Sequence, residues 1–93
     1  MYALNNVTTA NAYTAANTLQ CPGARRQNLT VTGAAIFYQL SRFDPISGAA
    51  EDFGNEPEVF LAPGYYNWSR RVEQVRVRSA ATGLPAQVTI EAL

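Results

Sequence analysis

Apolar and polar residues alternate along several short stretches of this chain. Leu29 and Val31 alternate with Asn and Thr, and Ile36, Tyr38 and Leu40 fall on one face of the next run. A period of two is typical of strands that bury one face, and these runs are too short for amphipathic helices. We therefore expect strands in both places and assign the second run, residues 34–40, to a central strand.

The same alternation returns near the C-terminus. Val75 and Val77 alternate with Arg, and Val88, Ile90 and Ala92 alternate with Gln, Thr and Glu beyond a turn-rich segment. We predict that these two strands form a hairpin. In that pairing the Arg side chains of the first strand would lie beside the polar face of the second, a favourable cross-strand arrangement.

Turn residues separate all these runs. The Pro63-Gly64 pair occupies the two central positions that favour a type II turn, with short strands predicted on either side at residues 58–61 and 66–71. About six short strands without a convincing helix indicate an all-β protein. The predicted fold is a small antiparallel β-sandwich or jelly-roll-like domain with an extended N-terminal arm.

The first 24 residues carry no charged side chain and consist mainly of Ala, Asn and Thr. We predict an extended arm at residues 1–26 and a β-sandwich domain at residues 27–93, the alternative being a floppy terminus. The arm would gain its order on a neighbouring subunit. Deleting residues 1–24 is then expected to leave the sandwich folded and to abolish binding to its partner.

The composition of the 93 residues argues against several kinds of binding and catalytic site. Seven Arg balance seven acidic residues, which argues against electrostatic nucleic-acid binding, and no apolar run is long enough to span a membrane. There is no His and only one cysteine, Cys21, so His-based triads, the usual zinc sites and an intrachain disulfide are excluded. We expect Cys21 to be an inert thiol.

An acidic segment is the best candidate for ion binding, because calcium prefers several oxygen ligands. It contains Glu51, Asp52, Glu56 and Glu58. Their spacing fits no EF-hand loop and does not define the carboxylate pair of a glycosidase. We therefore interpret the segment as a solvated loop and predict no metal, no cofactor and no enzymatic activity.

Aromatic and Arg residues cluster after the Pro-Gly turn, a combination that serves protein interfaces and carbohydrate platforms alike. Tyr66 and Trp68 share one face of the predicted strand, so they are also natural core residues. The Arg pair at the arm junction could bind a partner's carboxylate or simply keep the junction solvated. The candidate partner-binding residues are Arg25, Arg26, Tyr65, Tyr66, Trp68, Arg70 and Arg71.

The strand and turn patterns of residues 28–40, 60–64, 75–80 and 87–93 resemble those of small β-sandwich virion structural proteins of tailed bacteriophages. The resemblance covers the last two-thirds of the chain and assigns no functional residue. It implies a non-enzymatic capsid decoration or cement protein, or a minor head or tail protein, located in the virion after assembly in the host cytoplasm. Capsid or other virion proteins would be its partners, bound by a homo-oligomer through a sandwich face and the arm.

A second function remains open, namely a carbohydrate-binding or adhesin-type β-sandwich module, for example in a tail or head fibre. This hypothesis predicts that Tyr65, Tyr66 or Trp68 is exposed to solvent beside polar side chains.

Overall fold

The computed structural model describes residues 1–41, 43–44, 49–50, 53 and 56–93. The described residues contain a short 3-10 turn at Ala15–Asn17 and no α-helix, and hence no helix that could span a bilayer. The strands are β1 (Tyr2–Thr8), β2 (Thr18–Thr32), β3 (Ile36–Ser41), β4 (Phe43–Asp44), β5 (Ala49–Ala50), β6 (Val59–Leu61), β7 (Gly64–Ser79) and β8 (Gln87–Ala92).

Six of these strands form one antiparallel sheet in the order β1-β8-β2-β7-β3-β6, and β4 pairs with β5 separately. The protein is therefore all-β, which confirms the predicted fold class of a small antiparallel sandwich or jelly-roll-like domain. The strand at residues 34–40 is interior as expected, since β3 lies between β7 and β6.

Two long strands, β2 and β7, run through both halves of the sheet. The second half of β2 pairs with the first half of β7 and with β8, whereas the second half of β7 pairs with the start of β2 and with β3. The register between β2 and β7 shifts on both sides of Ala24. Such irregularities bend strands, so each long strand can serve both layers of the domain.

The core lies between these layers. Val75, Val77, Val88, Ile90 and Ala92 are all fully buried, as their alternation predicted. The full cluster of buried apolar residues is Leu19, Cys21, Ala24, Leu29, Val31, Ile36, Tyr38, Leu61, Val72, Val75, Val77, Ala86, Val88, Ile90 and Ala92.

The hairpin predicted between residues 75–78 and 88–92 is wrong. β8 pairs with β1 and β2, and the second half of β7 pairs with β2 and β3. Local alternation locates a strand and its buried face, but the choice of partner depends on contacts between distant segments of the chain.

The N-terminal segment lies within the sheet. β1 is extended, as expected for an arm, but its hydrogen-bonding partner is β8 of the same chain. A domain boundary after residue 26 would cut β2 in its middle. Three core residues, Leu19, Cys21 and Ala24, also come from the segment assigned to the arm.

Candidate functional site

The predicted partner-binding residues in the first half of β7 point to two opposite sides of the strand. Tyr65 and Arg71 are exposed and share the outward side of the strand with Asn67 and Ser69, whereas Tyr66 and Trp68 are half-buried. The two sets alternate because successive side chains of a strand point to opposite faces.

The outward side continues across three strands, β8, β2 and β7. Thr30 lies opposite both Tyr65 and Thr89, and Asn28 lies opposite both Asn67 and Glu91. We call this surface the polar face; it comprises Arg26, Asn28, Thr30, Tyr65, Asn67, Ser69, Thr89 and Glu91.

Tyr65 is the one aromatic side chain of the polar face, and 64% of its surface is exposed. Beside it, the Asn67 side-chain amide donates a hydrogen bond to Oδ1 of Asn28 at 2.9 Å. This bond uses one donor of Asn67 and one acceptor position of Asn28, so both amides keep hydrogen-bonding capacity for a ligand.

The inward side of β7 lines a small cavity of about 100 Å³ together with residues of β3 and β6. We call this cavity the aromatic cleft; it is lined by Tyr38, Leu40, Val59, Trp68 and Arg70.

The aromatic rings of the inward side stack on one another. Trp68 stacks with Tyr66 at a centroid distance of 5.7 Å and with Tyr38 at 5.0 Å. The Tyr66 hydroxyl donates to the carbonyl oxygen of Ala62 at 2.6 Å. Tyr66 and Trp68 both pack against the core, which agrees with the core role foreseen for them, and Trp68 also lines the cleft.

Tyr38 has an unusual environment for a phenol. It is only 2% exposed, yet its hydroxyl has no hydrogen-bond partner among the described residues. Burial is the main reason that its pKa lies well above the ordinary value, with the nearby Cys21 adding to the effect and Arg70 opposing it. The hydroxyl is therefore protonated at neutral pH.

Arg25 and Arg26 have exposed side chains near the bend of β2. Their backbone amides both donate to the carbonyl oxygen of Leu93, at 2.7 and 3.2 Å. The structure therefore places the predicted arm junction against Leu93 of the same chain. Arg70 approaches Glu56 at 3.9 Å, and Arg71 approaches Glu73 at 3.4 Å.

The acidic segment is described only in part, since Glu51 and Asp52 lie outside the described residues. Glu58 accepts hydrogen bonds from the Arg78 guanidinium at 3.0 and 3.1 Å and from the Tyr13 hydroxyl at 2.7 Å. The bond to Arg78, followed by the bond to Tyr13, lowers the pKa of Glu58. Within the described residues, no group of three acidic or cysteine side chains could hold a metal ion.

Cys21 is fully buried, as expected for an inert thiol. Burial, and to a smaller extent Glu73, raises its pKa to about 11. The nucleophilic thiolate is therefore scarce at neutral pH.

Sequence reasoning missed Tyr38 as a site residue. Its alternation with Ile36 marked it only as a core position, and it lies 30 positions from Trp68 in the chain. Nothing in the local pattern indicates that the two rings meet, because β3 contacts the inward side of β7 only through the tertiary fold.

The comparisons with known proteins concern the fold. The sequence matches no protein-family model and no curated protein sequence. Hydroxypropylphosphonic acid epoxidase from S. wedmorenis is similar in structure, with 15% identity and a TM-score of 0.54 over 89% of this chain. Its complex with fosfomycin gives 14% identity and a TM-score of 0.55 over 90%. This chain covers 39% and 40% of those two chains.

A de novo designed double-stranded β-helix is similar over the whole length of both chains, with 16% identity and a TM-score of 0.55. The fold is therefore of the double-stranded β-helix type, compatible with a small β-sandwich. At these identities the likeness shows the fold alone.

The epoxidase comparison corrects one prediction. We expected from the sequence that the chain is not an enzyme, and this expectation is contradicted because structural neighbours with the same fold include an enzyme. The lack of His and of a recognisable motif therefore does not exclude catalysis on this fold.

Proposed function

We propose that this domain is a carbohydrate-binding or adhesin-type module that holds a glycan on the polar face. The observation that carries the proposal is the position of Tyr65, which is 64% exposed and lies beside the polar side chains of Thr30 and Asn67. Exposure of an aromatic side chain beside polar groups is the arrangement that the adhesin hypothesis requires.

The chemistry of the polar face supports a neutral, hydroxyl-rich ligand. A flat aromatic ring can pack against the apolar face of a pyranose, and amide and hydroxyl groups can donate to and accept from its hydroxyls. The polar face offers amides from Asn28 and Asn67 and hydroxyls from Thr30 and Thr89. Because these groups sit on hydrogen-bonded strands, they are held in fixed positions, which limits the entropy lost on binding.

The test is binding of the purified protein to an array of oligosaccharides, followed by titration of the strongest ligand. Tyr65→Ala is expected to weaken binding at least tenfold, and Tyr65→Phe to keep most of it. Phe60→Ala is the matched control, since Phe60 is 59% exposed but lies on the edge strand β6. Equal affinity of the wild type and Tyr65→Ala, or the absence of any glycan ligand, would contradict the proposal.

A capsid decoration or cement protein is the second candidate, and a different surface supports it. The strand β6 lies at the end of the six-stranded sheet and exposes Val59 and Phe60. An edge strand with exposed apolar side chains is suited to pairing with a neighbouring coat subunit or with a second copy of the chain. Phe60 also contacts Phe37 edge to face at 5.8 Å, which fixes its ring.

This second candidate predicts self-association through β6. Sedimentation of the wild type is expected to show an oligomer, and Phe60→Asp is expected to shift it to a monomer without loss of folding. A wild type that stays monomeric at high concentration would count against the virion hypothesis. It would leave glycan binding on the polar face untouched.

A further inference from the structure

We propose that the glycan on the polar face is an oligosaccharide with a uronic acid, whose carboxylate binds to Arg26 at one end of the face. The inference rests on the proposed function and deepens it, because it names the class of sugar and the direction in which the ligand lies. A neutral ring would pack on Tyr65 at the opposite end.

The first reason is the order of the side chains along the polar face. Three successive pairs of residues from β2 and β7 are Thr30–Tyr65, Asn28–Asn67 and Arg26–Ser69. The face thus starts with an aromatic ring, continues with two amides and ends with a guanidinium. The first and the last pair are about 13 Å apart along the strands, which is more than one pyranose ring covers. A ligand that reaches both ends is therefore an oligosaccharide that runs along the strands.

The second reason is the concentration of positive charge at the far end. The register of β2 and β7 shifts by one residue after Arg26, so that Arg25 is matched by both Arg70 and Arg71. Four of the seven Arg of the chain therefore lie at adjacent positions around this bulge. Like charges at opposed positions repel each other, so the arrangement is unfavourable unless anionic groups lie close by.

The acidic residues of the chain supply such groups for only two of the four guanidiniums. Arg70 and Arg71 each approach a glutamate. Arg25 and Arg26 are exposed, and neither forms an ion pair with a described residue. A guanidinium can bind a carboxylate through two parallel hydrogen bonds, and the Ser69 hydroxyl opposite Arg26 can donate another. A ligand carboxylate at Arg26 would therefore offset the repulsion.

Glu91 limits how much negative charge the polar face accepts. It lies opposite Asn28 on the β8 side of the face and is the one carboxylate of that surface. A chain with an acid on every sugar would be repelled there, whereas a single carboxylate can bind Arg26 from the β7 side. We therefore expect a mainly neutral oligosaccharide with one acidic sugar.

The test compares acidic oligosaccharides with neutral copies of themselves. The probes are oligosaccharides of neutral sugars with one terminal glucuronic or galacturonic acid, each paired with a copy whose carboxylate has been reduced to a primary alcohol. At low ionic strength the wild type is expected to bind its best acidic probe about fivefold more tightly than the reduced copy. About 1 M sodium chloride should remove this preference, because salt screens exposed ion pairs.

Three substitutions test the assignment through the ratio of the two affinities. Arg26→Gln is expected to lower this acidic preference to near one, and Glu91→Gln to raise it, because the latter removes a negative charge from the face. Shifts in opposite directions do not arise from a general loss of folding. Arg70→Gln is the matched control, since it removes an exposed Arg that lines the aromatic cleft on the inward side, and it should keep most of the preference.

Either of two results would overturn this inference alone. One is equal binding of the acidic probes and their reduced copies; the other is the same acidic preference in Arg26→Gln and Arg70→Gln. In both cases the probes bind, so the proposed glycan site stands. Binding of no probe in either form would contradict the inference and the proposed function together.

Discussion

At the scale of single residues, Thr9 joins the ends of three strands through its buried hydroxyl. The Thr9 hydroxyl and the Ser79 hydroxyl are hydrogen-bonded at 2.6 Å, and the backbone amide of Ala86 donates to Thr9 Oγ1 at 2.8 Å. The Thr9 amide in turn donates to the Ala86 carbonyl oxygen at 2.9 Å. Thr9 thus connects the segment after β1 to the end of β7 and the start of β8.

Thr9→Val keeps the shape of the side chain and removes these bonds to its hydroxyl. Because the Ala86 amide and the Ser79 hydroxyl would lose a buried partner, we expect the free energy of unfolding to fall by about 1–3 kcal/mol. Thr8→Val is the control, since the Thr8 hydroxyl accepts an exposed bond from the Gln87 side chain and its loss should change stability by less than about 0.5 kcal/mol. Urea unfolding measures both; equal stability of the two variants would refute this role of Thr9.

Tyr13 gives a prediction for alkaline pH. Burial, followed by its hydrogen bond to Glu58, raises its pKa from 10.0 to about 12. A raised pKa in the folded state means that the stabilisation is complete below pH 10 and is lost as the pH rises towards 12. Urea unfolding at pH 9 and pH 11.5 should therefore show a smaller loss of stability for Tyr13→Phe than for the wild type. The same loss in both proteins would show that Tyr13 contributes nothing to it.

At the scale of the strands, the sequence predicts those whose alternation is regular. Leu29 and Val31 in β2, Ile36 and Tyr38 in β3, and the apolar positions of β8 are buried as expected. In the second half of β2 and in β8 the period of two is uninterrupted and can be recognised from the sequence alone. In β3 it ends at Tyr38, since Gln39 is buried and Leu40, expected on the buried face, is only partly buried.

The strands that the sequence does not predict are those that bend. In β7 the buried positions include both Val72 and Glu73, so the alternation changes phase and the strand looks like two separate ones. In β1 the register shifts between Leu4 and Val7, and Asn6 adopts a positive φ of 50°. Bulges therefore conceal the full length of β7 and the very existence of β1.

The candidate site, like the strands, can be predicted from the sequence only in part. The sequence identifies Tyr65, Trp68 and Arg70 as a cluster because they are close in the chain. It does not separate the outward residue from the inward ones or add Tyr38, since that depends on how β3 and β7 pack.

Deletion of residues 1–24 tests the role of the N-terminal strands. From the sequence alone this deletion was expected to leave a folded sandwich. The structure indicates the opposite, because the deletion removes β1, the start of β2 and the buried side chains of Leu19, Cys21 and Ala24. Loss of this much core is expected to exceed the stability of so small a domain.

We therefore expect the truncated chain to lack a cooperative thermal transition in circular dichroism. Removal of Met1 alone is the control, because Met1 precedes β1 and is exposed. A cooperative transition near that of the wild type would show that residues 25–93 fold without the N-terminal strands.

At the scale of the whole molecule, β7 separates two surfaces of different chemistry. Its outward side belongs to the polar face, which is rich in amides and hydroxyls, and its inward side lines the aromatic cleft. The edge strand β6 lies apart from the polar face, at the end of the sheet. Glycan binding and self-association can therefore be tested with substitutions that do not overlap.

The most direct test of the central claim is to map the bound glycan on the protein by NMR. Addition of the strongest oligosaccharide from the array should shift the backbone amide signals of Thr30, Tyr65 and Asn67 and the side-chain amides of Asn28 and Asn67. The signals of Phe37 and Phe60 should stay in place. Shifts confined to β3 and β6, or no shift with any oligosaccharide, would contradict the assignment of the polar face as a carbohydrate site.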